Sequence, residues 1–108
     1  MANIEITYLG DLRTELTHVQ SGKKTLTDAP LDNQGKGEAI SPTDMLAASL
    51  GSCMLTVMGI AARTHNIDMD GTDCSVTKVM AANPRRVGEI IVNFKFHKQY
   101  TDKEKNIL

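Results

Sequence analysis

Apolar and polar residues alternate near the start of the chain. Ile4, Ile6 and Tyr8 are separated by Glu5 and Thr7, the period-two pattern of a strand. Gly10-Asp11 supplies a turn, and Leu12 to Val19 reads as a second strand with Arg13, Glu15 and Thr17 on one face. Ser21-Gly22 turns the chain again, and Lys23 to Thr27 reads as a third strand, so the opening is a meander. From Ala29 to Ile40 the periodicity is lost among Pro30, Asn33, Gly35 and Gly37. The expectation there is a loop, of a length that is often functional.

The period then changes to that of a helix. Ser41 is a favourable N-cap, Pro42 suits the first helical position, and Asp44 stands three residues after Ser41 as an acidic variant of the capping box. Leu46, Leu50, Cys53, Val57 and Ile60 recur on one stripe, and Ala47, Met54, Met58 and Ala61 on a second. A helix apolar nearly all round must be covered on several sides. The rest of so short a chain can hardly cover it alone, so an intimate dimer is expected, with Ala47, Ala48, Gly51 and Ser52 permitting close backbone approach. The helix is expected to fray near Arg63 and to close at Asn66.

Asp73 to Met80 reads as a fourth strand, with Cys74 and Val76 on one face. After the turn signal Asn83-Pro84, Val87 to His97 carries the clearest alternation: Ile90, Val92, Phe94 and Phe96 against Glu89, Asn93 and Lys95. Thr101-Asp102-Lys103-Glu104 is a full capping box that announces a second helix. The chain stops at Leu108, barely two turns on, so the expectation is that the helix naturally continues and that a last strand follows. The fold class expected is α+β in a single domain over residues 1–108.

Composition changes this picture little. Twelve Lys and Arg against thirteen Asp and Glu leave a net charge of -1. No clustered basic excess suggests nucleic-acid binding. Lys23-Lys24 and Arg85-Arg86 fall at turns and read as solvated loops. Met45 to Ala62 carries no charge and nominally reaches membrane-spanning length, but its Ala, Ser, Gly and Thr content favours a buried helix. The N-terminal residues lack a basic segment followed by an apolar one, so no secretory signal is read and a cytoplasmic location is expected. The two cysteines, Cys53 and Cys74, are then expected as free thiols. No zinc-ligand spacing is present, His18, His65 and His97 are scattered, and neither metal nor cofactor is expected.

The run Ser41-Pro42-Thr43-Asp44-Met45-Leu46-Ala47-Ala48-Ser49-Leu50-Gly51-Ser52-Cys53 resembles the start of the central helix in the OsmC/Ohr family, osmotically inducible protein C and organic hydroperoxide resistance protein, whose members carry a pattern like S-P-x-E-L-L-x-A-A-L-G-x-C. The three strands before it, the strands after it and the helix opening at Thr101 match the family's layout. The resemblance implies antiparallel strands packed around a long central helix, in an intertwined homodimer with active sites near the interface. It implies reduction of a small organic hydroperoxide by a helix cysteine, here Cys53, and regeneration by a dithiol or lipoyl-type reductant. In the family a second cysteine on the second central helix resolves the sulfenic acid; that part of the pattern lies beyond Leu108, and Cys74, in a strand, does not take the role. In the peroxidase branch a Glu directly follows the Pro. Here Thr43 holds that place and Asp44 comes one residue later, about 100° around the helix, which is nearer the OsmC-like branches.

Peroxide reduction needs a thiolate, and burial alone raises a thiol's pKa. Cys53 lies about three turns into its helix, too deep for the helix dipole to help much. A cation must therefore approach it. Arg13 is the first candidate, because it follows the first turn, where one branch of the family places an active-site Arg; Lys36 or Arg63 are the alternatives. Asp44 is foremost a helix-cap acid and, by the resemblance, a candidate catalytic acid. Leu50, Met54 and Phe94 are expected to form an apolar surround that favours an alkyl hydroperoxide. Against the peroxidase stands a second reading: a non-catalytic dimer that binds a small apolar ligand, with Cys53 a buried structural residue.

Overall fold

The computed structural model describes residues 2–108. The chain folds as two compact units, 1–45 and 46–108.

The first unit is the meander. Strands β1 (Ile4–Gly10), β2 (Arg13–His18) and β3 (Lys24–Asp28) form an antiparallel sheet in the order β1-β2-β3. Gly10 pairs with Arg13, so Asp11 and Leu12 are the two residues of the turn, and both have positive φ, at 53° and 62°. Two consecutive left-handed residues match the twist of a tight hairpin. Leu12 is therefore a turn residue and the second strand begins at Arg13, one residue later than the alternation suggests. The turn is held from outside: Ala29 N–H donates to the Leu12 carbonyl at 3.1 Å. β1 is exposed along its length, with Ile6 and Tyr8 each 64% accessible.

The loop from Ala29 to Ile40 contains a 3₁₀ turn, Leu31–Asn33. It closes on itself through Gly35 N–H to the Pro30 carbonyl at 3.0 Å. A Cβ at Gly35 would lie 1.6 Å from the Ala29 carbonyl oxygen, so only glycine fits there.

Helix α1 (Pro42–Thr64) begins as the sequence indicates, with Asp44 N–H donating to Ser41 Oγ at 3.0 Å. Its C-terminus is a Schellman closure. Asn66 is left-handed at φ 54°, Ile67 N–H reaches the Ala62 carbonyl at 2.8 Å, and Asn66 N–H reaches that of Arg63 at 3.4 Å. Ala62 and Ile67, the two ends of the motif, are both buried.

In the second unit, strands β4 (Asp73–Ala81) and β5 (Arg86–Lys95) form an antiparallel pair. Cys74, Val76, Ile90, Val92 and Phe94 share its better-buried face. Arg86 closes the connecting turn by donating to the carbonyls of Ala82 and Pro84, both at 2.9 Å. Helix α2 (Asp102–Ile107) carries the complete capping box: Glu104 N–H donates to Thr101 Oγ1, and Thr101 N–H to Glu104 Oε1.

Of the small residues of α1, Ala47 and Gly51 are buried, whereas Ala48 and Ser52 are exposed. Gly51 is buried, and a Cβ placed on it would lie 2.7 Å from Val76 Cγ2 and 3.2 Å from Cys74 Sγ. Close approach thus occurs against β4, where the pattern alone suggested a dimer partner. The opposite stripe is uncovered: Leu46, Leu50, Val57 and Ile60 are 55%, 41%, 60% and 62% accessible. α1 is long and apolar enough to cross a membrane by length and composition. A buried helix was expected, but only 17% of its apolar window is buried within this chain, because only the side that carries Gly51 rests on β4.

This packing makes a paired prediction. At Gly59 a Cβ meets nothing within 4 Å, so Gly59→Ala gains helix propensity and raises stability by about 1 kcal/mol. At Gly51 the same gain is outweighed by an overpacking cost of about 1–3 kcal/mol, so Gly51→Ala lowers the midpoint of denaturant unfolding.

Candidate functional site

Cys53 sits in the middle of the uncovered stripe of α1. Taking about 100° per residue, Leu46, Leu50, Val57 and Ile60 all fall within roughly 60° of it. Its thiol is exposed. A buried, dimer-facing cysteine was expected; within the single chain it is exposed because the strands cover the face of α1 that carries Gly51, turned about 200° from Cys53.

From Cys53 a cavity of about 780 Å³ runs between α1, the end of β5 and α2. Met54, Val57 and Met58 form its helix wall, and Phe94 and Phe96 its sheet wall. Lys98, Gln99 and Tyr100 line the segment that leads into α2, and Lys105 and Leu108 the α2 side. Phe96 meets Tyr100 edge-on with ring centroids 5.7 Å apart, which stiffens the wall between β5 and α2. Met54 and Phe94 were expected around Cys53 and are there; Leu50, expected with them, is not part of the lining and is solvent-exposed.

The two cations at this cavity, Lys98 and Lys105, were not singled out in the sequence. Nothing in their spacing from Cys53 marks them, because they reach it only through the return of β5. Lys98 forms an ion pair with Asp68, whose backbone carbonyl also accepts from Tyr100 Oη at 2.8 Å. The Asp68 carboxylate raises the Lys98 pKa. In return Lys98, and then the Asp70 backbone N–H, lower that of Asp68. Both groups are solvent-exposed, so the pair is weak and salt-screened. Its contribution is present above the ordinary Asp pKa and is lost as the pH falls through the depressed one.

The other candidates lie elsewhere. Asp44 is exposed and, nine residues before Cys53, points about 180° away from it around the helix. Arg63 lines a different hollow with Ile67 and Asp70. Cys74 lines a small hollow with Ala48, Ser52 and Leu55 on the sheet-facing side of α1, so the two thiols open to opposite faces of the helix.

Arg13 belongs to the first unit and is engaged there. Its guanidinium donates to Glu38 Oε2 at 2.5 Å and to Asp28 Oδ2 at 3.5 Å. Asp28 is fully buried and its Oδ2 also accepts from Glu38 N–H at 3.1 Å. The hydrogen bond it donates to Glu38, above all, holds the Arg13 pKa up. These contacts tie the end of β3 to the loop that precedes α1. The sequence shows the three residues but not the bonds, because Arg13 and Glu38 are brought together only by the hairpin and the loop's return. Lys36 lies in that same loop, in the first unit. Among the described residues, no group of three or more His, Cys, Asp and Glu side chains is placed to hold a metal.

Comparison with known proteins agrees with this architecture. The family profile described as OsmC-like protein matches residues 35–107. A crystal structure from Psychrobacter arcticus 273-4, provisionally described as an osmotic stress induced and detoxification response protein, is 56% identical in sequence. It superposes with a TM-score of 0.94, over 99% of this chain and 78% of that one. An organic hydroperoxide resistance protein OsmC from Legionella pneumophila, also described as a predicted redox protein, shares the fold at a TM-score of 0.68 and 14% identity, over 99% of this chain and 80% of that one. No curated protein matches the sequence. The fold is therefore the α+β arrangement of antiparallel strands and a long central helix found in OsmC-like proteins. The chain belongs to the OsmC-like family.

The Arg13 cluster yields a test. Arg13→Ala leaves Asp28 buried without its cation and lowers the unfolding midpoint. Asp28→Asn added to it removes the uncompensated charge and recovers part of the loss. A double-mutant cycle by urea unfolding measures the coupling.

Proposed function

We propose that this protein is a thiol-dependent peroxidase that reduces small organic hydroperoxides through Cys53, in oxidative-stress defence in the cytoplasm. The observation that carries the reading is the position of Cys53: an exposed thiol at the mouth of a cavity walled by Met54, Val57, Met58, Phe94 and Phe96. Family membership supports it, as does the detoxification description of the Psychrobacter relative. An apolar wall beside the nucleophile favours an alkyl or aryl hydroperoxide over hydrogen peroxide, because the organic group gains burial of apolar surface.

In this scheme the Cys53 thiolate attacks the terminal oxygen of ROOH. The S–O bond forms as the O–O bond breaks, sulfur is oxidised to sulfenic acid, and the leaving alkoxide takes a proton to become ROH. A lysine at the cavity, Lys105 or Lys98, favours the thiolate and the departing alkoxide by its charge. One thiol of a dithiol or lipoyl-type reductant condenses with the sulfenic acid, releasing water and leaving a mixed disulfide. Its second thiol then frees Cys53. With cumene hydroperoxide and a dithiol, the protein is expected to consume peroxide. Cys53→Ser removes this turnover, and turnover that survives the substitution overturns the reading.

The apolar cavity also favours a second reading, a non-catalytic site for a small apolar ligand. Mass spectrometry after a mild peroxide dose separates the two. Sulfenic acid selectively at Cys53 supports the peroxidase, and an unmodified thiol supports the binding protein.

The protein acts as a homodimer in this proposal. The uncovered stripe of α1, with Leu46, Leu50, Val57 and Ile60 exposed together, is apolar surface larger than scattered side chains account for. Val57, 60% accessible at the centre of the stripe, is the residue to change. Val57→Glu is expected to shift the sedimentation coefficient from dimer to monomer, whereas the parent protein dissociates only on dilution.

A further inference from the structure

We propose that Met54 and Met58 are a second point of oxidation in the Cys53 cavity, and that their conversion to sulfoxide closes the cavity to apolar hydroperoxides. This rests on the reading that organic hydroperoxides enter the cavity. It extends that reading from the thiol to the wall beside it. Two of the chain's six methionines line this one cavity. They stand four residues apart on α1, one turn above the other, so both thioethers belong to the wall that starts at Cys53. Met54 follows Cys53 directly and is 37% accessible, so a molecule that reaches the thiol also reaches the first thioether.

The chemistry balances without another reactant. The thioether sulfur attacks the terminal oxygen of ROOH. An S–O bond forms as the O–O bond breaks, and the hydroperoxide proton passes to the leaving alkoxide. One ROOH and one methionine thus give one ROH and one sulfoxide, and sulfur loses the two electrons that the peroxide gains. This reaction is slower than attack by a thiolate, so it matters when peroxide outlasts the reductant. Its consequence is physical. A sulfoxide is a strong hydrogen-bond acceptor, and here it faces Phe94 and Phe96. An apolar ligand that enters must then strip water from it without replacing the hydrogen bond. Affinity for an alkyl or aryl hydroperoxide falls, and only enzymatic reduction of the sulfoxide restores it.

Met45, Met69 and Met80 are internal controls. Met45 and Met80 line none of the cavities described, and Met69 belongs to the separate hollow beside Arg63. The experiment uses the Cys53→Ser protein, in which the faster thiol is gone, exposed to cumene hydroperoxide and then to hydrogen peroxide. Peptide mass spectrometry follows each methionine. With cumene hydroperoxide, Met54 and Met58 are expected to oxidise roughly fivefold faster than Met45, Met69 and Met80, with a smaller preference under hydrogen peroxide. Equal rates at all five overturn the proposal. In the Cys53-containing protein, pre-oxidation is expected to raise the KM for cumene hydroperoxide, and Met54→Leu/Met58→Leu to abolish that rise relative to its own starting value. A rise that persists in the double variant also overturns the proposal. If the Cys53-containing protein shows no turnover yet Met54 and Met58 oxidise selectively, the peroxidase reading fails and the oxidation site stands. If turnover is intact and the two methionines show no preference, the reverse holds.

Discussion

Everything in the second unit depends on how α1 divides its surface. The helix has no charged residue between Asp44 and Arg63, so no polar face tells it which side belongs to water. Size decides instead. Gly51 presents backbone where any other residue would present a Cβ, and there the helix settles against Val76 and Cys74. Ala47 and Ala62 are buried with it. A helix seated on its smallest residues carries its largest ones outward, and so Leu46, Leu50, Val57 and Ile60 have no cover from their own chain. Cys53 is one of this outward group.

That division gives the cysteine its chemical setting. Were Cys53 on the Gly51 side, it would face the strands, as half-buried Cys74 faces the helix across that contact. On the outward side it borders a cavity whose far wall is built by elements remote in sequence. β5 brings Phe94 and Phe96, and the segment into α2 brings Lys98 and Tyr100. The capping box at Thr101 fixes where that segment turns into helix, and hence where Lys105 and Leu108 stand. A local device thus sets one side of a non-local site.

The first unit solves a different problem. A three-stranded sheet with β1 exposed along its length has little core of its own. It keeps its loop in place with polar contacts: the Arg13 guanidinium between Asp28 and Glu38, and backbone bonds from Asp28 and Ala29 that anchor the strand end. Asp28, wholly buried, has a guanidinium and a backbone N–H on its Oδ2, while its Oδ1 is buried without a partner among the described residues, so the cation beside it carries its compensation. An arginine in such a clamp is committed to structure by the charges around it, whatever else its charge does.

The sequence by itself determined the elements and placed their ends to within two residues, β5 ending at Lys95 where alternation ran on to His97, because elements rest on contacts between residues a few positions apart. The capping boxes, the left-handed Asn66 and the alternation of β5 were all legible, and so was the family, through the spacing from Ser41-Pro42 to Cys53. The second strand's start was missed by one residue because the tight turn put Leu12, an apolar residue, into a left-handed conformation that alternation does not register. Tertiary structure alone decided which face of α1 is covered, since a helix apolar all round carries no signal for it. It also decided that Arg13 meets Glu38 and Asp28, and that Lys98 and Lys105 reach the thiol's cavity. Those placements depend on chain returns that bring distant residues together, and periodicity, which compares only near neighbours, cannot record them.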